Sequence, residues 1–348
     1  MTGELPWPFA GRVAGLVAGS HPLDGSYHLD HLAGRLPGIV ERANRLVAAE
    51  TGLELPGAPE VAVVSRREWI DRNIASFQHL LAPAERRLAE RFERLSGDEL
   101  GETLARRLVA AETGALLGYL SRRVLGQYEL VLPTGADADS VAFVGINVLA
   151  LERARQFRPA EFRLWIALHE AAHRAQFVGV PWMRPYFRAL VEEMVEHAEP
   201  EEGRLRRLFA QAVAARREGR PIVDERGLMG LFATPRQQQT LDRIQALMSL
   251  HEGHGHVVMD RIGARELTAQ ERMSATLKAR RSDPRTAALL RLTGLEMKIR
   301  QYERGERFVK AVDRVAGWDA LEAVWESADA LPTIAEIEEP GRWMARVA

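Results

Sequence analysis

A mainly α-helical, α+β fold with a small β-sheet or hairpin is predicted for this chain of 348 residues. Three observations predict it. Apolar residues recur at spacings of three and four over most of the length, the period of a helix with one buried face. Runs of β-type residues are confined to three short segments. Glycine and proline mark the gaps between periodic stretches more than their interiors. The hydrophobic fraction of 46% can fill one large core or two closely packed ones.

The periodic stretches are 38–50, 66–96, 98–125, 159–177, 186–198, 203–216, 235–262, 268–280, 284–304 and 306–328. Thr234-Pro235 is a helix start, a capping threonine followed by proline at the first helical position. Gly263 and the Ser282-Asp283-Pro284 turn signal helix ends. The strand candidates are Glu60 to Val64, Tyr128 to Leu132 and Ser140 to Ile146. The last two flank Pro133-Thr134-Gly135-Ala136-Asp137, a loop or hairpin turn. Residues 198–204 and 217–227 are the most loop-like interior segments. The expected organisation is an N-terminal helical region, 1–120, packed on a core formed by 121–348, or one continuous domain.

Composition removes several function classes. Net charge is −1 and the pI about 6.8, so general binding to nucleic acid is not expected. The pairs Arg86-Arg87, Arg206-Arg207, Arg216-Arg217 and Arg280-Arg281 lie near acids or turn signals and read as solvated helix faces. There is no cysteine, so disulfides, thiolate zinc sites and cysteine nucleophiles are excluded and any metal must be held by His, Glu or Asp. Lysine occurs only at Lys278, Lys298 and Lys310, which leaves little scope for Schiff-base chemistry. No apolar run approaches the ~20 residues of a membrane helix. Glu4, Pro6 and Pro8 precede the first arginine, Arg12, unlike a signal peptide. A cytoplasmic protein with no membrane partner is expected.

The segment with most chemistry is His169-Glu170-Ala171-Ala172-His173. On a helix, histidines at i and i+4 stack on one face, so both rings can reach one metal ion. The glutamate between them then lies beside the open coordination position, where a general base is needed. Phe162, Trp165, Ile166, Leu168 and Phe177 would anchor this helix in a core, and the two alanines leave room around a metal. Arg174 stands where stricter versions of the pattern have an uncharged residue.

Catalytic zinc takes three protein ligands and keeps one position open. The segment from Leu250 to Asp260 holds three of the ten histidines within six residues. As a helix it places Glu252, His256 and Asp260 at i, i+4 and i+8 on one face. Glu252 is the favoured third ligand, with His256 or Asp260 orienting His169 or His173. Gly253 and Gly255 permit close approach to another helix or to the metal. Glu193, 20 residues after His173 (193 − 173), is the rival ligand, although Glu192, Glu193, Glu196 and Glu199 also read as a solvated acidic face. Tyr186, Tyr302, His197 and His254 are candidate donors to a developing oxyanion by residue type.

A wider set of segments resembles a known family. Leu125 to Tyr128, Val144 to Asn147, Phe162 to Trp165 leading into HEAAHRAQF, and Val180-Pro181-Trp182 are similar to zincin-like metallopeptidases of actinobacterial and chloroflexi type. So are Glu252-Gly253, Val258-Met259-Asp260, Gly294 to Lys298, Gln301-Tyr302, Leu331-Pro332-Thr333 and Glu339-Pro340 to Trp343. The resemblance is dense from about residue 120 onward. It implies a zincin-like helical metalloprotease core and a glutamate third ligand, which favours Glu252 over Glu193. It also implies an association with biosynthesis of a deazaflavin coenzyme, and no particular substrate. The expected activity is zinc-dependent hydrolysis of a peptide or small amide, with Glu170 as base; the alternative is a metal-binding or scaffold protein without catalysis.

Overall fold

A computed structural model describes residues 5–95, 99–129, 139–196, 235–281 and 296–347. Within them the protein is mainly helical, with one small mixed sheet, as the periodicity predicts. The expected helix 203–216, the loop-like segments, the Pro133–Asp137 turn and the Ser282-Asp283-Pro284 turn lie outside the described residues. Two compact units divide the chain: Met1–Arg184 with Val258–Gln270, and Pro185–Val257 with Glu271–Ala348. No described helix is long and apolar enough to cross a membrane.

In the first unit the order is α1 (Trp7–Ala18), α2 (Tyr27–Thr51), β1 (Glu60–Val64), α3 (Arg66–Leu95), α4 (Glu99–Ser121), β2 (Gly126–Tyr128), β3 (Ser140–Val144), α5 (Gly145–Ala154) and α6 (Pro159–Val178). Strand β3 is central and buried along its whole length, with β1 parallel on one side and β2 antiparallel on the other. Register is set by Val61 opposite Val141 and by Gln127 opposite Ala142. Strand β2 lies earlier than the expected Tyr128–Leu132 and shares only Tyr128 with it, while 130–132 lie outside the described residues. The parallel partner is not legible, because a crossover leaves no turn signal.

Several boundaries depart from the pattern for physical reasons. Helix α2 starts at Tyr27 and passes through Pro37, where the pattern places a start at 38. Pro37 is exposed, so the carbonyl it leaves unbonded can be solvated. No element is predicted at 7–18, yet α1 forms there. Its small residues are its packing surface: a Cβ on Gly114 or Gly118 of α4 would stand 2.3 Å from Ala10 O or 2.4 Å from Ala14 O. The expected strand to Ile146 ends at Val144 and gives way to α5. Asn147 fixes that start, donating to Ser121 O and Val124 O at 2.7 Å while accepting from Arg66 Nε at 3.0 Å.

Continuing along the chain, α7 is Met183–Glu196, α8 Pro235–Glu266, α9 Gln270–Arg281 and α10 Glu296–Ala316. A 3-10 helix, Trp318–Trp325, and the short α11 (Ile334–Glu338) and α12 (Pro340–Val347) follow. Helix α8, described from Pro235, runs past Gly263, the expected end, to Glu266; Thr234, the expected cap, lies outside the described residues. Helix α10 runs through Gly305, where the pattern separates two helices. That glycine is a crossing point and not a break. A Cβ on Gly305 would lie 1.7 Å from Ser249 O, and one on Gly253 would lie 2.1 Å from Gly305 C. Two glycines therefore let α8 and α10 pass at backbone distance. At the C-terminus, Thr333 and Glu336 form a reciprocal capping box for α11. Arg346 and the Trp343 indole, which donates to Ala330 O at 2.7 Å, pin α12 beside it.

Candidate metal centre

Helix α6 is apolar on nearly every side. Phe162, Leu164, Trp165, Ile166, Ala167, Leu168, Ala171, Ala172, Ala175 and Phe177 are buried, which is why it sits in the core and cannot fray. Within that setting His169 and His173 are half-buried and share a face, as their spacing requires. Their Nε2 atoms are 3.2 Å apart and the rings meet edge-on, with centroids at 4.5 Å and planes at 77°. Two nitrogens bound to one tetrahedral zinc at about 2.0–2.1 Å would be separated by about 3.3 Å. The pair therefore has the spacing a zinc ion needs. One ligand atom from each of His169, His173 and Glu252 lies within 4.8 Å of the other two. Two imidazoles and a carboxylate are a donor set suited to zinc.

The His173 ring is oriented from its own helix. Its Nδ1 lies 3.1 Å from Oε1 of Gln176, which is fully buried. An amide oxygen can only accept, so Nδ1 carries the proton and Nε2 presents its lone pair. Gln176 is the residue that sequence reasoning missed, although its i+3 spacing from His173 was a visible signal.

Glu170 is 4% exposed. Its Oε2 accepts from the backbone N–H of Tyr128 at 2.8 Å. Strand β2 lies against it so closely that a Cβ on Gly126 would be 2.7 Å from Oε1. One helical turn later, Arg174 is completely buried. Its guanidinium grips Asp139, with Nη2 to Oδ2 at 2.6 Å and Nε to the same oxygen at 2.8 Å, and donates to Pro56 O at 2.7 Å. Arg174 thus ties α6 to the chain just before β1 and β3. Its charge has a structural use, so it is no obstacle to the motif.

Tyr128 is locked at its other end. Arg184 donates to its hydroxyl, and its ring stacks on Phe177. Burial pushes the Tyr128 phenol up to about 12, with Arg184 working against that rise and Asp139 adding to it.

The remaining predicted residues fall as follows. His256 is buried near Glu306. Burial works to raise the Glu306 carboxyl, but Lys310, Lys278 and His256 outweigh it and hold it below its ordinary range. Asp260 accepts from Gln270 Nε2 at 2.6 Å. Glu193 pairs with Arg243 at 3.0 Å and is not in the His169–His173–Glu252 group. Tyr186 lies under Arg243, whose guanidinium carbon is 5.5 Å from the ring centroid. His254 stacks on Trp318 and meets Trp325 edge-on. His197 and the Tyr302 side chain lie outside the described residues.

Two histidines one helical turn apart, a buried glutamate between them and a carboxylate from a distant helix define a candidate metal-dependent hydrolase centre. Residues 5–344 match the family of zincin-like metallopeptidases, and the chain belongs to that family. It is also similar to a protein of Chloroflexus aurantiacus provisionally described as a hydrolase with a novel fold, at 31% identity and a TM-score of 0.70. That likeness covers 99% of this chain and 98% of the other. No curated protein matches the sequence.

Proposed function

We propose that the protein is a zinc-dependent hydrolase of a peptide or small amide, with His169, His173 and Glu252 as metal ligands and Glu170 as general base. The observation that carries this reading is the 3.2 Å approach of the two Nε2 atoms with a Glu252 oxygen in reach. When bound, zinc supplies Lewis acidity: it polarises a carbonyl and brings the pKa of water to about 7. The rest is done by the chain. Gln176 keeps the His173 proton on Nδ1, so that Nε2 stays available. Glu170, buried and next in sequence to His169, accepts the proton of the attacking water and returns it to the leaving amine. Its short tie to Tyr128 keeps the carboxylate from swinging out of reach. His256 acts electrostatically on Glu306, Asp260 accepts from Gln270 and Glu193 pairs with Arg243, whereas Glu252 is the acid that groups with the two histidines. The association with deazaflavin-coenzyme biosynthesis rests on the sequence resemblance alone and carries no substrate assignment.

Zinc analysis and turnover test the reading together. Purified protein should hold about one zinc per chain, as expected of a three-ligand catalytic site. His169→Ala should abolish metal binding. Glu170→Gln should keep the metal and lose turnover on a peptide and amide library by at least ~100-fold. Metal-free protein after chelator-free purification would sink the proposal. Zinc without turnover in the wild type would assign the site to structure.

A further inference from the structure

Among the described residues β2 is an edge strand, and that edge has an unexpected relation to Glu170. In the β2–β3 ladder Val144 N–H donates to Leu125 O, and Glu129 N–H to Ser140 O. The alternation of an antiparallel pair then turns the N–H and C=O of Gly126 and Tyr128 away from β3, toward the free edge. An edge N–H is where an extended chain would add to a sheet. The Tyr128 N–H is already committed, to Oε2 of Glu170 at 2.8 Å. Next to it Gly126 contributes an absence: a Cβ there would meet Oε1 at 2.7 Å, Cγ at 2.9 Å and Cδ at 3.0 Å of the same side chain. Helix α6 holds the tyrosine from both ends. Glu170 takes its amide, and Arg174, one turn on, holds the Asp139 carboxylate that neighbours its hydroxyl.

We propose that the Tyr128 main-chain amide and the bare Cα of Gly126 form a cradle that positions Glu170. The amide fixes Oε2, the missing side chain leaves room for Oε1, and Oε1 is the oxygen that takes the proton. Tyr128 and Gly126 are positioning residues that act through Glu170. The edge strand therefore serves the base at residue 128, and a bound peptide makes its main-chain bonds elsewhere. This inference rests on the hydrolase reading of the same centre. Its physical basis is that a proton acceptor must lie within hydrogen-bond reach of its donor, and that misplacement by about 1 Å can cost roughly 100-fold in rate.

Two measurements on the full chain test it. In Glu170→Ala, amide hydrogen exchange at Tyr128 should quicken at least ~10-fold, the loss of one hydrogen bond, while Gln127 and Glu129 keep their protection. Unchanged protection at Tyr128 would overturn the cradle. In Gly126→Ala, kcat should fall roughly 100-fold with KM and zinc content unchanged; a wild-type kcat would overturn it as well. Should Gly126→Ala fail to fold, the exchange result decides alone. Exchange reads the cradle without turnover, so the two failures are distinguishable: unchanged Tyr128 protection defeats the cradle, whereas an inactive, zinc-loaded wild type defeats the hydrolase reading and with it the base role of Glu170.

Discussion

The two helices that carry the candidate ligands are held in opposite ways. Helix α6 is fixed by what its side chains reach: apolar packing all round, Glu170 on a strand amide and Arg174 on Asp139. Helix α8 is fixed at Glu252 by what its neighbour lacks. Gly253 and Gly305 have no side chains, and the backbones of α8 and α10 pass where any Cβ would clash. Further along, Arg261 and Arg265 of α8 both bond Glu50 of α2. Burial works to raise that carboxyl, but the two arginines hold it below its ordinary range. The contrast is between a histidine pair placed by local spacing and a candidate carboxylate whose helix is placed by a tertiary crossing.

The sharpest way to break the α6 side is Arg174→Met. Removing one partner of a buried, hydrogen-bonded pair typically costs 3–5 kcal/mol. Asp139 keeps 22% side-chain exposure and can be partly rehydrated, so the lower end, about 3 kcal/mol, is expected in urea denaturation. A loss under about 1 kcal/mol would mean the tie is worth no more than a surface pair.

Gly305→Ala attacks the α8 side. A methyl 1.7 Å from Ser249 O cannot be accommodated by side-chain motion, because the obstacle is backbone. Overpacking of this kind costs about 1–3 kcal/mol, and the helices must separate to relieve it. Glu252 is one residue from the contact, so zinc affinity should fall while His169 and His173 keep their spacing. Equilibrium dialysis against zinc, beside a thermal melt, separates the two effects. Unaltered zinc affinity would show that the crossing does not place Glu252.

The same contrast explains what could be read from the sequence. The mainly helical fold and the His169–His173 pair were legible because each is a short-range pattern. Glu252 was legible as a candidate only. Nothing local joins it to histidines 79 residues earlier (252 − 173), and the crossing that positions it depends on Gly305, which reads as a helix break. Helix α1 was illegible for a related reason, since its small residues make a packing surface only once Gly114 and Gly118 are brought against them. Arg174 misled in the other direction: a charge beside the motif looks foreign until Asp139 is brought to it across 35 residues (174 − 139). Glycine and arginine take their meaning from partners, and partners are a property of the fold.

The smallest expected effect separates the two acids that compete in sequence. Glu193 pairs with Arg243 at 3.0 Å, with side-chain exposures of 29% and 49%. A pair this exposed contributes about 0.2–1 kcal/mol, so Glu193→Gln should change stability by less than ~1 kcal/mol. Zinc content should be untouched. Glu252→Gln is the matched comparison: its 4% exposure and its place in the ligand group predict loss of zinc with little loss of fold. Metal analysis of the two variants side by side decides which helix completes the centre. Zinc lost from Glu193→Gln and kept by Glu252→Gln would transfer the third ligand to α7, and the glycine crossing would then hold α8 for some purpose other than metal.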